Sequence, residues 1–389
     1  MKDNISNIIF KKIKNVTHSK ELFLHEPSFS NDEITQVKKC IKSGIVSTAG
    51  KEVILFEKKL AKYTNSKFAI AVINGTSALH ISLLLCDVKE GDEVLLPALT
   101  FVATANAIKY CNAMPHFVDV RSYDLGIDVK KLEKYLMKNT IQKNKKCFNK
   151  KTKRYIKAIV PVYVFGHSYD VDGLSKLAKR FNLKIVEDAT EALGTKYKNK
   201  HAGTFGTFGV LSFNGNKIIT TGGGGAILTN NRKLALKALH LATTAKAKKI
   251  NNWEYVHDKI GFNYRLPSLN AALGLAQMKK IKNLIKKKRK LFELYRSQFK
   301  NITTVEIMKE PKYSKSNYWL QTLIIKNSSK EILEKILKFN HKKKYRLRPV
   351  WRLLNLLKPY KNCPKMDLNN SSKLSKKIIN LPSSSFLIK

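Results

Sequence analysis

Between residues 67 and 229, short apolar runs alternate with stretches of helical spacing, and that alternation leaves few folds open. Strands are expected over 68–73, 93–96, 116–120, 156–162, 184–186, 210–213 and 226–229, and helices over 76–85, 101–110 and 174–181. Strands separated by helices are joined by crossovers, so the expectation is an α/β chain with a mostly parallel sheet between helices. Residues 31–245 would form this large domain. Beyond 245 the texture changes: 269–299 reads as one long helix, followed by a strand at 319–325 and a helix at 331–339. Residues 246–389 are taken as a smaller C-terminal α+β domain and residues 1–30 as an arm of little periodicity. The lysine- and asparagine-rich run 138–153 is taken as a surface insertion.

The 389 residues carry 74 Lys and Arg against 28 Asp and Glu, a formal net charge of +46. Lysine supplies nearly all of it and is spread along most of the chain, in company with many Asn and Ile residues. That pattern fits the coding bias of an A+T-rich genome. Nucleic-acid binders concentrate arginine and aromatic residues in one patch, which is not seen here, so no nucleic-acid partner is expected. The basic surface would steer anionic substrates instead. The five cysteines, Cys40, Cys86, Cys111, Cys147 and Cys363, show no C-x-x-C spacing. Neither a disulfide framework nor a zinc site is expected, no metal is called for, and a reducing cytoplasm fits. No apolar run approaches the ~20 residues that span a bilayer, so neither anchor nor signal peptide is expected.

Three segments carry chemistry. In the first, Ser212-Phe213-Asn214-Gly215-Asn216-Lys217 leads to Gly222-Gly223-Gly224-Gly225. Ser212 and Asn214 can bind a phosphate, and the glycines let backbone approach closely. The lysine precedes the glycines, which is the wrong order for a nucleotide-binding P-loop. In the second, an apolar strand at 185–186 delivers Glu187 and Asp188 to its C-terminal end, where open α/β sheets bind ligands. A carboxylate there can hold a pyridine nitrogen protonated; a helix N-cap is the other reading of Asp188. In the third, Asn74-Gly75-Thr76-Ser77 separates a strand from a helix, as a phosphate site or an ordinary cap. Phe101 is suited to stack on a planar ring or to fill core.

Together with Gly261-Phe262-Asn263-Tyr264-Arg265, these segments resemble the DegT/DnrJ/EryC1/StrS sugar aminotransferases, from about Ser28 to the C-terminus. The resemblance implies the fold-type I architecture and pyridoxal 5'-phosphate as cofactor. Lys217 would attach to the cofactor and move the proton at the substrate carbon. Asp188 would pair with the pyridine nitrogen. Gly75, Thr76 and Ser212 would hold the phosphate, with Ser77 and Asn214 among the cofactor contacts. Phe101 would stack on the ring and Glu191 would lie near its hydroxyl. Asn263 would reach the cofactor phosphate of a second subunit, which implies a homodimer with shared sites.

Within the family, 212–225, the insertion around 147–156, Arg348-Pro349-Val350-Trp351 and 362–368 look most like the LegC type. That type aminates a nucleotide-linked 4-keto-6-deoxy sugar towards nonulosonates. Glutamate would be the amino donor, and Arg265, Arg348 and Trp351 would contact the substrate, although Trp351 could equally be core between the domains. A sugar dehydratase or a 3-keto-sugar aminotransferase of the same fold is the alternative; the dehydratases typically replace the lysine by histidine. The chain departs from the family at Tyr163, where most members carry His, and at Gly223, where many carry Glu. It also stops at 381–389, where relatives usually add another helix.

Overall fold

The apolar runs assemble into a nine-stranded sheet in a computed structural model that describes residues 2–247 and 253–388. Across the main path the order is Phe68–Val72, Gly225–Thr229, Phe208–Ser212, Lys184–Asp188, Tyr155–Ile159, Glu93–Pro97 and Met114–Val118. Pairing is parallel from Phe208–Ser212 through to Met114–Val118. Gly225–Thr229 alone on this path runs antiparallel to both its neighbours. It is the return arm of a hairpin with Phe208–Ser212, so the loop 213–224 that carries Lys217 stays at one edge of the sheet. Glu93–Pro97, Phe208–Ser212 and Gly225–Thr229 are buried throughout. Helices on both faces remove the need for a polar side, which is why these strands read as continuous apolar runs.

Strand ends differ from the expected bounds by a few residues. The expected strand at 116–120 is Met114–Val118, and that at 156–162 is Tyr155–Ile159. Beyond Ile159 the pairing continues as an isolated bridge of Val162 with Asp188.

Two segments are more ordered than their sequence suggests. The surface run 138–153 is built as a hairpin of Thr140–Lys143 and Lys146–Asn149, whose second arm pairs antiparallel with Tyr155–Ile159. Cys147 and Asn149 are buried, and Asn149 Nδ2 donates to Glu93 Oε2 at 3.0 Å. The two-residue alternation of Lys-Cys-Phe-Asn is hidden among exposed lysines. Residues 1–30 contain the helix Lys2–Thr17, with Ile9, Ile13 and Val16 buried. The spacing of those three residues is helical, short as the pattern is.

The apolar interior falls into two clusters. One surrounds the large sheet. The other joins Ile9 and Ile13 to Leu291, Phe292 and Tyr295 and to Leu323, Ile379 and Leu381. It covers a four-stranded sheet in the order Val305–Ile307, Gln321–Ile325, Ile378–Leu381, Arg348–Pro349. The 32-residue helix Ser268–Phe299 spans both clusters. No helix among the described residues is long and apolar enough to cross a membrane. All five cysteines are free and buried.

Candidate active site

Four strand ends of the large sheet converge on one cavity of about 360 Å³. Phe68–Val72 leads to Asn74, Glu93–Pro97 to Phe101, Lys184–Asp188 to Asp188 and Phe208–Ser212 to Ser212. This is the edge where open α/β sheets bind ligands.

Lys217 projects from a turn closed by its own N–H to the Asn214 carbonyl at 3.0 Å. The base of the loop is tied by Phe213 N–H to Gly224 O at 2.8 Å and by Thr221 N–H to Phe213 O at 2.9 Å. Two of the four glycines are dictated by geometry. Gly222 has φ +81, and a Cβ on Gly225 would lie 2.5 Å from the Asn74 carbonyl carbon. The lysine loop is thereby pressed onto the Asn74–Gly75 peptide.

The amine of Lys217 sits 3.5 Å from Glu191 Oε1 and 3.8 Å from the centre of the Trp319 ring. Burial pushes its pKa down, opposed by Glu191 and then by Asp188. Burial likewise pushes Glu191 up to about 7, with the Lys217 charge opposing. The two shifts bring amine and carboxyl closer in proton affinity, and a lowered amine pKa favours the unprotonated form that attack on an aldehyde requires. Glu191 is held by the Phe165 N–H, which donates to Oε2 at 2.8 Å. Phe165 takes φ 56, in the left-handed region. Its ring stacks on Trp351 with centroids 5.0 Å apart.

Asp188 is not a helix cap, because no helix follows it. Its Oδ2 accepts from Thr104 Oγ1 at 2.7 Å, and its Oδ1 accepts from Thr190 Oγ1 at 2.7 Å. Successive residues of a strand face opposite ways, and Glu187 accordingly does different work. It accepts from Tyr163 Oη and from the N–H groups of Gly203, Phe205 and Gly206. Tyr163 is fully buried on that network and does not line the cavity.

At the other end of the cavity, the helix Gly75–Leu85 begins with Asn74 Oδ1 accepting from Ser77 N–H at 2.8 Å. Ser77 therefore serves the cap, and its buried side chain does not line the cavity. First-turn N–H groups such as those of Gly75 and Thr76 lack helical acceptors. A Cβ on Gly75 would lie 3.0 Å from Thr190 Cγ2 and 3.2 Å from Ser212 Cβ, so the glycine keeps a cradle open that a side chain would fill. Ser212 and Asn214 line the same cavity. Phe101 lies on its wall, 52% exposed, with its ring 6.2 Å from Trp351. Trp351 both packs on Phe165 and faces the cavity.

Three expected residues lie elsewhere in the single chain. Arg265 forms a two-pronged ion pair with Glu57, with Nη2 3.1 Å from Oε2. Asn263 is exposed on a segment bridged to Thr243. Arg348 is exposed on a short strand paired with Ile378–Leu381. Conversely, Thr104, Thr190 and Trp319 line the cavity without having been singled out from the sequence. Thr190 lies within the acidic segment between Asp188 and Glu191, whereas Trp319 arrives from beyond the long helix with no local motif to mark it.

The residues present fit pyridoxal phosphate. A glycine-opened helix N-terminus with Ser212 suits a phosphate. A carboxylate fixed by two hydroxyls suits a protonated ring nitrogen, an amine of lowered pKa lies between them, and Phe101 is placed at the wall.

Comparison with known proteins agrees. Residues 27–388 match the DegT/DnrJ/EryC1/StrS aminotransferase family. A GDP-perosamine synthase of Escherichia coli O157:H7 is 36% identical over 305 residues, covering 78% of each chain. A UDP-4-amino-4,6-dideoxy-N-acetyl-beta-L-altrosamine transaminase of Campylobacter jejuni subsp. jejuni is 34% identical over 298 residues, covering 77% of this chain and 75% of the relative. Among solved structures, Helicobacter pylori PseC, an aminotransferase involved in the biosynthesis of pseudoaminic acid, superposes with a TM-score of 0.84 at 27% identity over 93% of both chains. The chain is a member of the DegT/DnrJ/EryC1/StrS family and a pyridoxal-phosphate-dependent aminotransferase.

Proposed function

We propose that this enzyme transfers an amino group from glutamate to C4 of a nucleotide-linked 4-keto-6-deoxy sugar carrying a 2-acetamido group, as the LegC type does, in nonulosonate or surface-polysaccharide biosynthesis. The observation that carries the reading is the Lys217 amine, 3.5 Å from Glu191, in one cavity with Asp188 and the cradle at Gly75. Pyridoxal phosphate, when bound, supplies an aldehyde that takes up nitrogen and a ring that draws electrons from the substrate carbon. The chain supplies the rest. Gly75, Thr76 and Ser212 would grip the phosphate, with Asn214 beside them, and Asp188 would keep the ring nitrogen protonated. The Lys217 amine would remove and return the proton at the substrate carbon, with Glu191 able to hold a proton beside it. Phe101 and Trp351 line the cavity, and Phe165 backs Trp351 from within the core.

For the substrate, the +46 charge attracts a diphosphate. Arg265 is engaged by Glu57; Trp351, on the cavity wall, would meet the sugar, and exposed Arg348, outside the cavity, would meet the diphosphate beyond it. Relatives named for GDP- and UDP-linked sugars support a nucleotide sugar of either base. The test offers glutamate with UDP- and GDP-linked 4-keto-6-deoxy sugars, and with their 3-keto isomers, and identifies products by mass spectrometry. Amination at C4 is expected. Turnover of only a 3-keto sugar, or of simple 2-oxo acids alone, would overturn the substrate while leaving the cofactor chemistry standing.

The active unit would be a homodimer. Asn263 is exposed and lies outside its own cavity, and nearby Ile260 is 89% exposed. Both observations suit a segment that completes a neighbour's site. Mixing inactive Lys217→Ala with inactive Asn263→Ala subunits should restore part of the activity, because one site of each heterodimer regains both residues. No recovery after confirmed subunit exchange would count against shared sites.

A further inference from the structure

Trp319 is 4% exposed and meets the lysine loop in two ways. Its indole N–H donates to the Asn216 carbonyl at 2.7 Å, and its ring face lies 3.8 Å beneath Lys217 Nζ. We infer that Trp319 is a positioning residue for the reactive amine: its face seats Nζ whenever the amine is free, and its N–H fixes the turn from which the lysine projects. The inference rests on Lys217 being the cofactor lysine, since only then does the amine alternate between an attached and a free state.

The surrounding hydrogen bonds show why this ring is held so firmly. The Trp319 N–H donates to Asn317 Oδ1 at 2.8 Å. Asn317 is fully buried, and its Nδ2 donates to the carbonyls of Glu191 at 2.9 Å and Leu193 at 3.0 Å. Its backbone N–H donates to Thr195 Oγ1 at 3.0 Å. The segment that carries the ring is therefore pinned to the turn that carries Glu191. The two groups flanking Nζ, an aromatic face and a carboxylate, are set relative to each other before any substrate arrives. Ring packing alone would need neither the indole N–H bond nor the Asn317 clasp.

An aromatic face attracts an ammonium and is indifferent to a neutral amine, most strongly where water is excluded and the ring is indole. Trp319 thus favours the protonated amine, together with Glu191 and Asp188. Half-buried His25, which lies against the Asn216 backbone within electrostatic reach of Lys217, completes the surrounding groups. Without the indole face, the amine should lose its proton more readily. The expected shift in its titration midpoint is about one pH unit downward, roughly a tenfold change in the acid equilibrium.

The test uses the full chain freed of cofactor. Trace acetic anhydride is reacted across a pH series, and acetylation of the peptide containing Lys217 is quantified by mass spectrometry against exposed lysines of the same digest. Trp319→Leu should lower the midpoint by about a unit. Trp319→Phe keeps a weaker face, and should lower it by less. An unchanged or raised midpoint in both variants overturns the inference. If the leucine variant does not fold, as a melting curve would reveal, the phenylalanine variant decides alone: a lower midpoint supports the role and an unchanged or raised one removes it. Because no cofactor is present, this result is independent of the cofactor assignment. That assignment would fall separately if borohydride fixed pyridoxal phosphate to another lysine.

Discussion

Lys217→Ala should reduce turnover by at least about 10⁴-fold, since it removes both the attachment point and the proton-transferring group, each a large contribution to catalysis. Borohydride reduction of the wild-type holoenzyme should fix the cofactor to the peptide containing Lys217, and the variant should show no such adduct. The structural ground is selective. Lysines cover this protein, but among the described residues lining the cavity Lys217 is the one lysine, and its amine is the one beside both Glu191 and Trp319. Burial lowers its pKa, so more of it is unprotonated at neutral pH than of a surface lysine. Labelling of a different lysine, with turnover retained in the alanine variant, would remove Lys217 from the mechanism.

Asp188→Asn should leave cofactor binding largely intact and lower turnover by about 10²–10³-fold, the range for losing one preorganised electrostatic group. The substitution preserves volume. The hydroxyls of Thr104 and Thr190 can rotate to meet an amide, so the local fold should survive. An amide, however, carries no charge to hold the ring nitrogen protonated, and the ring becomes a poorer electron sink. Turnover and cofactor affinity measured side by side separate the two effects. Near-native turnover would mean that Asp188 merely braces Thr104 against Thr190.

The same two residues show what was legible in the sequence. Lys217 stood out because its glycine run and preceding Ser212 are local, and the structure gives Gly222 and Gly225 geometric reasons to be glycine. Asp188 was open between a ring-nitrogen partner and a helix N-cap, because sequence does not reveal whether a helix follows the strand, and none does. The alternation of side chains sends one carboxylate to Tyr163 and the other to Thr104. The strands read well wherever both faces are buried. Least legible is what depends on a partner distant in sequence. Arg265 looked free to bind phosphate, but Glu57 holds it from 208 residues away. Trp319 enters the cavity through tertiary packing, with no pattern around it to announce that. The helix Lys2–Thr17 was missed because its buried face is Ile9, Ile13 and Val16 among lysines and asparagines.

That helix also sets a schedule for biosynthesis. Phe10 packs against Tyr345, with ring centroids 4.8 Å apart, and against Phe339 at 6.3 Å. On the ribosome, at about 5–20 residues per second, roughly a quarter of a minute to a full minute separates the helix from those partners. For most of that interval, until Leu291, Phe292 and Tyr295 of the long helix are made, Ile9 and Ile13 lack their native partners, while the large sheet between can already form. The second apolar cluster therefore closes last, around a segment made early, and a nascent chain stalled before residue 291 should expose that helix to chaperones and proteases.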